Sequence, residues 1–127
     1  MIVVDTSALM AVALNEPEAE ACIAALEAED ELLISAGTVA EALIVAAARN
    51  VGEEISQLID GLGFEVVAVS AASAKRIAAA YESWDRGRHP AALNFGDCFA
   101  YEVAKEYACR LLYVRDDFAK TDVPGVL

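Results

Sequence analysis

The sequence predicts an α/β fold with a mostly parallel central sheet of four to five short strands flanked by helices, and three observations predict it. Short, largely apolar runs rich in β-branched residues or leucine recur at residues 1–4, 32–35, 64–69 and 111–114, as expected of strands buried on both faces. Between them lie longer segments with apolar residues at helical spacing. Two of the runs stop on carboxylates, Asp5 and the pair Asp116-Asp117, and ligands of open parallel sheets bind outside the carboxyl ends of the strands.

Each element follows from its local pattern. Ile2-Val3-Val4 is the first strand, and a short apolar helix over residues 7–14 follows Asp5. Asn15 suits the cap and Pro17 the first turn of the next helix, with Ala19, Cys22, Ile23 and Leu26 inside and Glu16, Glu18, Glu20 and Glu27 outside. Leu32-Leu33-Ile34-Ser35 is the second strand. From Val39 to Ala48 every residue except Glu41 is apolar, which predicts a helix over residues 38–49 buried all round. A carboxylate carried on such a helix needs a partner, and Thr38-x-x-Glu41 matches a capping box.

Residues 53–62 form an amphipathic helix facing inward through Ile55, Leu58, Ile59 and Leu62, residues 64–69 a third strand, and residues 70–83 a helix packed through Ile77 and Tyr81. A basic loop, Arg86-Gly-Arg88-His89, leads to Asn94, a good N-cap for a helix carrying Asp97 in its first turn and Phe95, Phe99, Val103 and Tyr107 as its packed stripe. The fourth strand is Leu111-Leu112-Tyr113-Val114, after which Asp116-Asp117 caps a short helical turn through Lys120. Right-handed crossovers bring the carboxyl ends of such strands to one edge.

A chain of 127 residues suits a single domain over residues 1–127. No stretch approaches the roughly 18 to 20 apolar residues of a membrane span, and an opening strand pattern in place of a basic leader predicts the cytoplasm. Cys22, Cys98 and Cys109 are odd in number and wrongly spaced for a disulfide framework or a zinc site; buried free thiols are expected. The net charge is -12, and residues 1–74 hold 13 acids and one base while residues 75–127 hold eight of each. Such acidity argues against tight non-specific nucleic-acid binding. It leaves room for a local basic rim at Arg86, Arg88 and His89, with Arg115 and Lys120 further on.

Every one of these acids has a local structural explanation: a capping box for Glu41, the helix dipole for Asp97, N-capping for the Asp pair. Yet Asp5 and Asp116-Asp117 end strands while Glu41 and Asp97 begin helices, and in a parallel α/β sheet all four places fall on one edge. Clustered carboxylates repel and raise one another's pKa values unless a cation neutralises them. Oxygen ligands without a His or Cys cluster point to magnesium or manganese. A site of that kind suits phosphoryl transfer.

Four stretches also resemble the PIN-domain ribonucleases, especially the VapC-type toxins of bacterial toxin-antitoxin pairs: Val3-Val4-Asp5-Thr6-Ser7-Ala8-Leu9, Thr38-Val39-Ala40-Glu41, Arg88 through Cys98, and Asp116-Asp117-Phe118 with Thr121-Asp122. The resemblance spans nearly the whole chain, and Arg88 to Cys98 is its most specific part. It implies a metal-dependent endoribonuclease that hydrolyses RNA with an activated water, using Mg2+ or Mn2+. Asp5, Glu41 and Asp97 would be metal-holding catalytic acids, the fourth being Asp116, Asp117 or both. Thr6 or Ser7 would help place water or phosphate; independently of the resemblance, the local basic rim of Arg86 and Arg88, with Arg115, would meet the RNA. A homodimer and a VapB-type antitoxin that inserts a segment into the acidic groove are further implications. A strongly negative protein would attract a basic plug of that sort.

Rival readings make different demands. A receiver-type magnesium-binding signalling domain needs an early acidic pair and a lysine after a late strand, where this chain has Asp5 alone and Arg115. A haloacid-dehalogenase-like phosphatase needs an Asp two residues after the first, where Ser7 stands. A catalytically silent PIN-like binding module would not need the complete set of acids.

Overall fold

A computed structural model describes residues 1–127. The elements run β1 (Ile2–Val4), α1 (Thr6–Ala13), α2 (Ala19–Ala28), β2 (Leu32–Ser35), α3 (Ala36–Ala48), α4 (Gly52–Gly61), β3 (Glu65–Val67), α5 (Ala71–Trp84), α6 (Phe95–Tyr107) and β4 (Arg110–Leu112). Four strands pair in the order β3-β2-β1-β4, every pair parallel. The expected fold class is the one observed.

Alternation along the strands sorts side chains to two faces. Ile2, Val4, Leu32, Ile34 and Leu112 join a core with Leu9 of α1, Cys22 and Leu26 of α2, Ala42 and Ala46 of α3 and Ile55 of α4. Val3, Leu33 and Leu111 join a second core with Ile77 and Ala80 of α5, Cys98, Tyr101 and Val103 of α6, and Phe118. The central strands β1 and β2 are fully buried, whereas the edge strand β3 leaves Glu65 and Val66 exposed. At the far edge, Leu111 pairs with Gly125 of the C-terminal segment, which satisfies backbone groups β4 would otherwise leave open.

Several local expectations are corrected. Asn15 does not cap α2; it turns the chain at a left-handed φ of 50°, a conformation Asn tolerates, and α2 starts at Ala19. Ser35, the last residue of β2, caps α3 by accepting from the Gly37 N–H, so the helix begins two residues before Thr38 and no Thr38–Glu41 capping box exists. Nor is α3 buried all round: Leu43, Ile44 and Val45 are exposed, Ile44 by 71%, because alanines carry the packing. On α6 the predicted stripe is offset, with Phe95 67% exposed and Tyr107 also outside. Tyr81 of α5 is likewise exposed. Residues 116–120 form turns rather than a helix. Cys22 and Cys98 are buried free thiols, and Cys109 is only partly covered.

Candidate active site

At the carboxyl edge of the sheet, β1 runs directly into α1. Asp5 N–H donates to the Leu112 carbonyl of β4 at 3.0 Å, and the Asp5 carboxylate caps α1 by accepting from the Ser7 N–H at 3.0 Å. Its other oxygen, Oδ1, is buried without a hydrogen-bond partner, an arrangement that is costly unless something fills the gap. Burial pushes Asp5 up to about 7; hydrogen bonding to Ser7 opposes this, and the Asp97 and Glu41 charges add to it.

Glu41 reaches the same place from α3. Its partner is Thr6, whose Oγ1 donates to Glu41 Oε1 at 2.6 Å. Gly96 makes this approach possible, since a β-carbon there would overlap the Glu41 carboxylate. Asp97 arrives from the first turn of α6, where Asn94 is the N-cap as expected and Asp97 returns the bond: Asn94 Oδ1 accepts from the Asp97 N–H at 2.8 Å, and Asp97 Oδ2 accepts from the Asn94 N–H at 3.0 Å. Burial raises Asp97 to about 6, assisted by the charges of Asp117 and Glu41. Capping and site membership therefore coexist in one side chain.

Asp117 completes the group. Arg115 takes a left-handed φ of 59° after β4, and the turn leaves Asp116 exposed and Asp117 half-buried. A cavity of about 230 Å³ is lined by Asp5, Thr6, Ser7, Glu41, Asp97 and Asp117, with Glu16, Arg49 and Arg115 at its margin. Asp116 lines only an adjoining cavity of about 310 Å³, together with Arg86, Asn94, Asp97 and Asp117. Burial raises Asp117 as well, against the pull of Arg115 and Ser7. The structure thus gathers Asp5, Thr6, Ser7, Glu41, Asp97, Asp117 and Arg115, and sets Asp116 and Arg86 one cavity away. Arg88 lines neither: its guanidinium lies 3.6 Å from Asp85. Arg115 is held by Glu16 at 3.1 Å.

Two charged residues of the cavity, Arg49 and Glu16, were not expected at the site from the sequence. Arg49 is the lone base of the first 74 residues, a signal that could have marked it. The donor set is all hard oxygen. The orphaned Asp5 oxygen and the upward shifts of three carboxyls fit a divalent cation, although no three His, Cys, Asp or Glu side chains stand at metal-binding spacing here.

A family model described as the PIN domain matches residues 2–124. The chain belongs to the PIN-domain family. Among curated relatives of this PIN domain, the ribonuclease VapC30 of Mycobacterium tuberculosis is 40% identical over 128 residues, covering 98% of each chain. The ribonuclease VapC of Mycolicibacterium smegmatis is 36% identical, covering 98% of this chain and 99% of its own. Within the family the chain is therefore of the VapC type. Among solved structures, Mycobacterium tuberculosis VapC20, described as a Sarcin-Ricin loop cleaving toxin, superimposes with a TM-score of 0.81 at 14% identity over 99% of this chain and 98% of that one. A toxin-antitoxin complex from Klebsiella pneumoniae gives a TM-score of 0.72 at 19% identity, over 100% and 97%. At such identities the likeness is one of fold.

Proposed function

We propose that this PIN domain is an endoribonuclease that hydrolyses RNA phosphodiester bonds with the aid of Mg2+ or Mn2+, and that it is the toxin of a toxin-antitoxin pair. The observation that carries the reading is the convergence of Asp5, Glu41, Asp97 and Asp117 on one cavity, in a chain related over nearly its whole length to curated VapC ribonucleases. Membership of this family speaks against a receiver domain, and the complete acid set against a silent binding module.

Asp5, Glu41, Asp97 and Asp117 would hold the metal. A divalent ion bound there lowers the pKa of water and offsets charge on the phosphate. The protein's own part is to fix and dehydrate those ligands. Ser7 N–H fixes one oxygen of Asp5 and leaves the other free, Thr6 fixes Glu41, and the capping box fixes Asp97. Carboxylates held in this way have only to close on the ion, since no three of them stand at metal-binding spacing without it.

The rest of the reading concerns partners and place. A cavity lined by five acids, Asp5, Glu16, Glu41, Asp97 and Asp117, in a chain of net charge -12 would attract a basic segment of a VapB-type antitoxin. The apolar side chains of Ile44, Tyr81 and Phe95, exposed on α3, α5 and α6, offer a homodimer area to bury. No helix is long and apolar enough to cross a membrane, and an enzyme acting on cellular RNA belongs in the cytoplasm. The test is cleavage of total RNA by the purified protein. Cleavage that stops in chelator and returns with Mn2+ or Mg2+ is expected, and cleavage indifferent to chelator would overturn the metal assignment.

A further inference from the structure

Cations are scarce in this chain, nine lysines and arginines against 21 acids. Five of them are engaged in ion pairs: Arg76 with Glu102 and Glu106, Arg88 with Asp85, Lys105 with Asp122, Arg110 with Glu29, and Arg115 with Glu16 and Glu18. The remaining four, Arg49, Lys75, Arg86 and Lys120, make none. Both arginines of this unpaired set stand beside the acids. Arg49, the residue that ends α3, lines the cavity of Asp5, Glu41, Asp97 and Asp117. Arg86, in the loop after α5, lines the adjoining cavity.

The two cavities share Asp97 and Asp117, so these acids line both the cavity of Arg49 and that of Arg86. An arginine side chain suits a phosphate better than a carboxylate-rich surface does, and can grip it through two N–H groups. Arg115, the third guanidinium in reach, is already occupied by Glu16 and Glu18. Elsewhere the excess of acid repels a polyanion, so an RNA strand has few places to rest its backbone.

We propose that Arg49 and Arg86 are positioning residues that bind backbone phosphates on opposite sides of the cleaved bond, so that the RNA strand crosses from one cavity to the other over Asp97 and Asp117. This rests on the ribonuclease reading above. It assigns each arginine a separate subsite, and makes the pair the determinant of how the strand lies across the acids. Neither guanidinium takes part in bond breaking.

The experiment uses a short single-stranded RNA that the wild type cleaves at one bond, together with a set of the same RNA carrying one uncharged methylphosphonate linkage at successive positions. Arg49→Ala and Arg86→Ala should each raise KM about tenfold, the loss of one charge-assisted hydrogen bond, with kcat nearly unchanged and the melting temperature that of the wild type. Lys75→Ala should match the wild type, and Arg49→Lys and Arg86→Lys should recover part of the loss. Each alanine variant should also lower the salt dependence of RNA affinity by about 0.7 in log-log slope, one phosphate contact on a single strand. Neutralising one phosphate on one side of the cleaved bond should slow the wild type but not Arg49→Ala, and neutralising one on the other side should slow the wild type but not Arg86→Ala. Unchanged kcat/KM in either alanine variant, a fall in kcat alone, or masking of phosphates on the same side would overturn the proposal while leaving the ribonuclease reading in place. A wild type that cleaves no RNA with either metal overturns both.

Discussion

Thr6 Oγ1 donates a 2.6 Å hydrogen bond to Glu41 Oε1, tying the first turn of α1 to α3 across 35 residues of sequence. Thr6 follows Asp5 directly, so this one bond fixes two of the cavity's five carboxylates, Asp5 and Glu41, relative to each other. Thr6→Val keeps the side-chain shape and removes the donor. A hydrogen bond to a charged group is worth about 1.5–3 kcal/mol, so kcat/KM for RNA cleavage should fall roughly 10- to 100-fold, and Thr6→Ser should restore most of it. Equal cleavage by Thr6→Val and wild type would mean that Glu41 is held by other contacts.

Gly96 is required by contact. A β-carbon at this position would overlap the Glu41 carboxylate, and α6 is held at the same turn by its capping box, so the helix start has little freedom to retreat. Gly96→Ala should displace Glu41, lower cleavage by more than about tenfold and cost on the order of 1–3 kcal/mol of stability, as overpacking does. Gly61→Ala is the control, since a β-carbon there meets nothing within 4 Å. If thermal melts and cleavage rates for the Gly96 variant matched those of the control, the crowding account would fail.

Asp5 and Asp97 link stability to pH. Both carboxyls rise on folding, from 3.8 to about 7 and to about 6. The folded state therefore holds their protons more tightly, and this contribution is complete below pH 3.8 and lost as pH climbs through 6 and 7. Without metal, the melting temperature should drop between about pH 5 and about pH 8. Asp5→Asn should flatten that drop, and excess Mn2+ should raise the melting temperature at the upper end. A chelated wild type that melts higher at about pH 8 than at about pH 5 would refute the assignment.

A turn separates the two acids of the doublet. Arg115 adopts φ 59°, and Asp117 then lines both cavities while Asp116 lines only the outer one. Loss of groups that merely support a metal ligand costs about 10- to 100-fold, so Asp117→Asn should lower cleavage at least about 100-fold, and Asp116→Asn far less. The reverse order in a side-by-side rate measurement would return the role to Asp116.

Much of this arrangement was legible in the sequence because it is locally encoded. Ile2-Val3-Val4 reads as a buried strand and stops on Asp5, and Asn94 reads as the N-cap of a helix with Asp97 in its first turn, as observed. What was not legible depends on tertiary neighbours. Glu41 looked like the partner of Thr38, but Ser35 takes the cap, and the true partner Thr6 lies on another helix. On α3 the large Leu43, Ile44 and Val45 looked like core, whereas Ala42 and Ala46 pack inward, because small residues let the helix lie close. Nothing in the Asp116-Asp117 pair announces which acid turns inward; that depends on the left-handed turn at Arg115.

Asp97 offers the most direct test. Asp97→Asn retains a side-chain oxygen to accept from the Asn94 N–H and a backbone N–H to donate to Asn94 Oδ1, so α6 keeps its cap while the cavity loses one charge. Purified wild type and Asp97→Asn, incubated with total RNA and Mn2+ or Mg2+, should differ by at least about 100-fold in cleavage rate at the same melting temperature in chelator or a higher one for the variant. Cleavage by Asp97→Asn at the wild-type rate would contradict the assignment of these acids as a metal-dependent ribonuclease site.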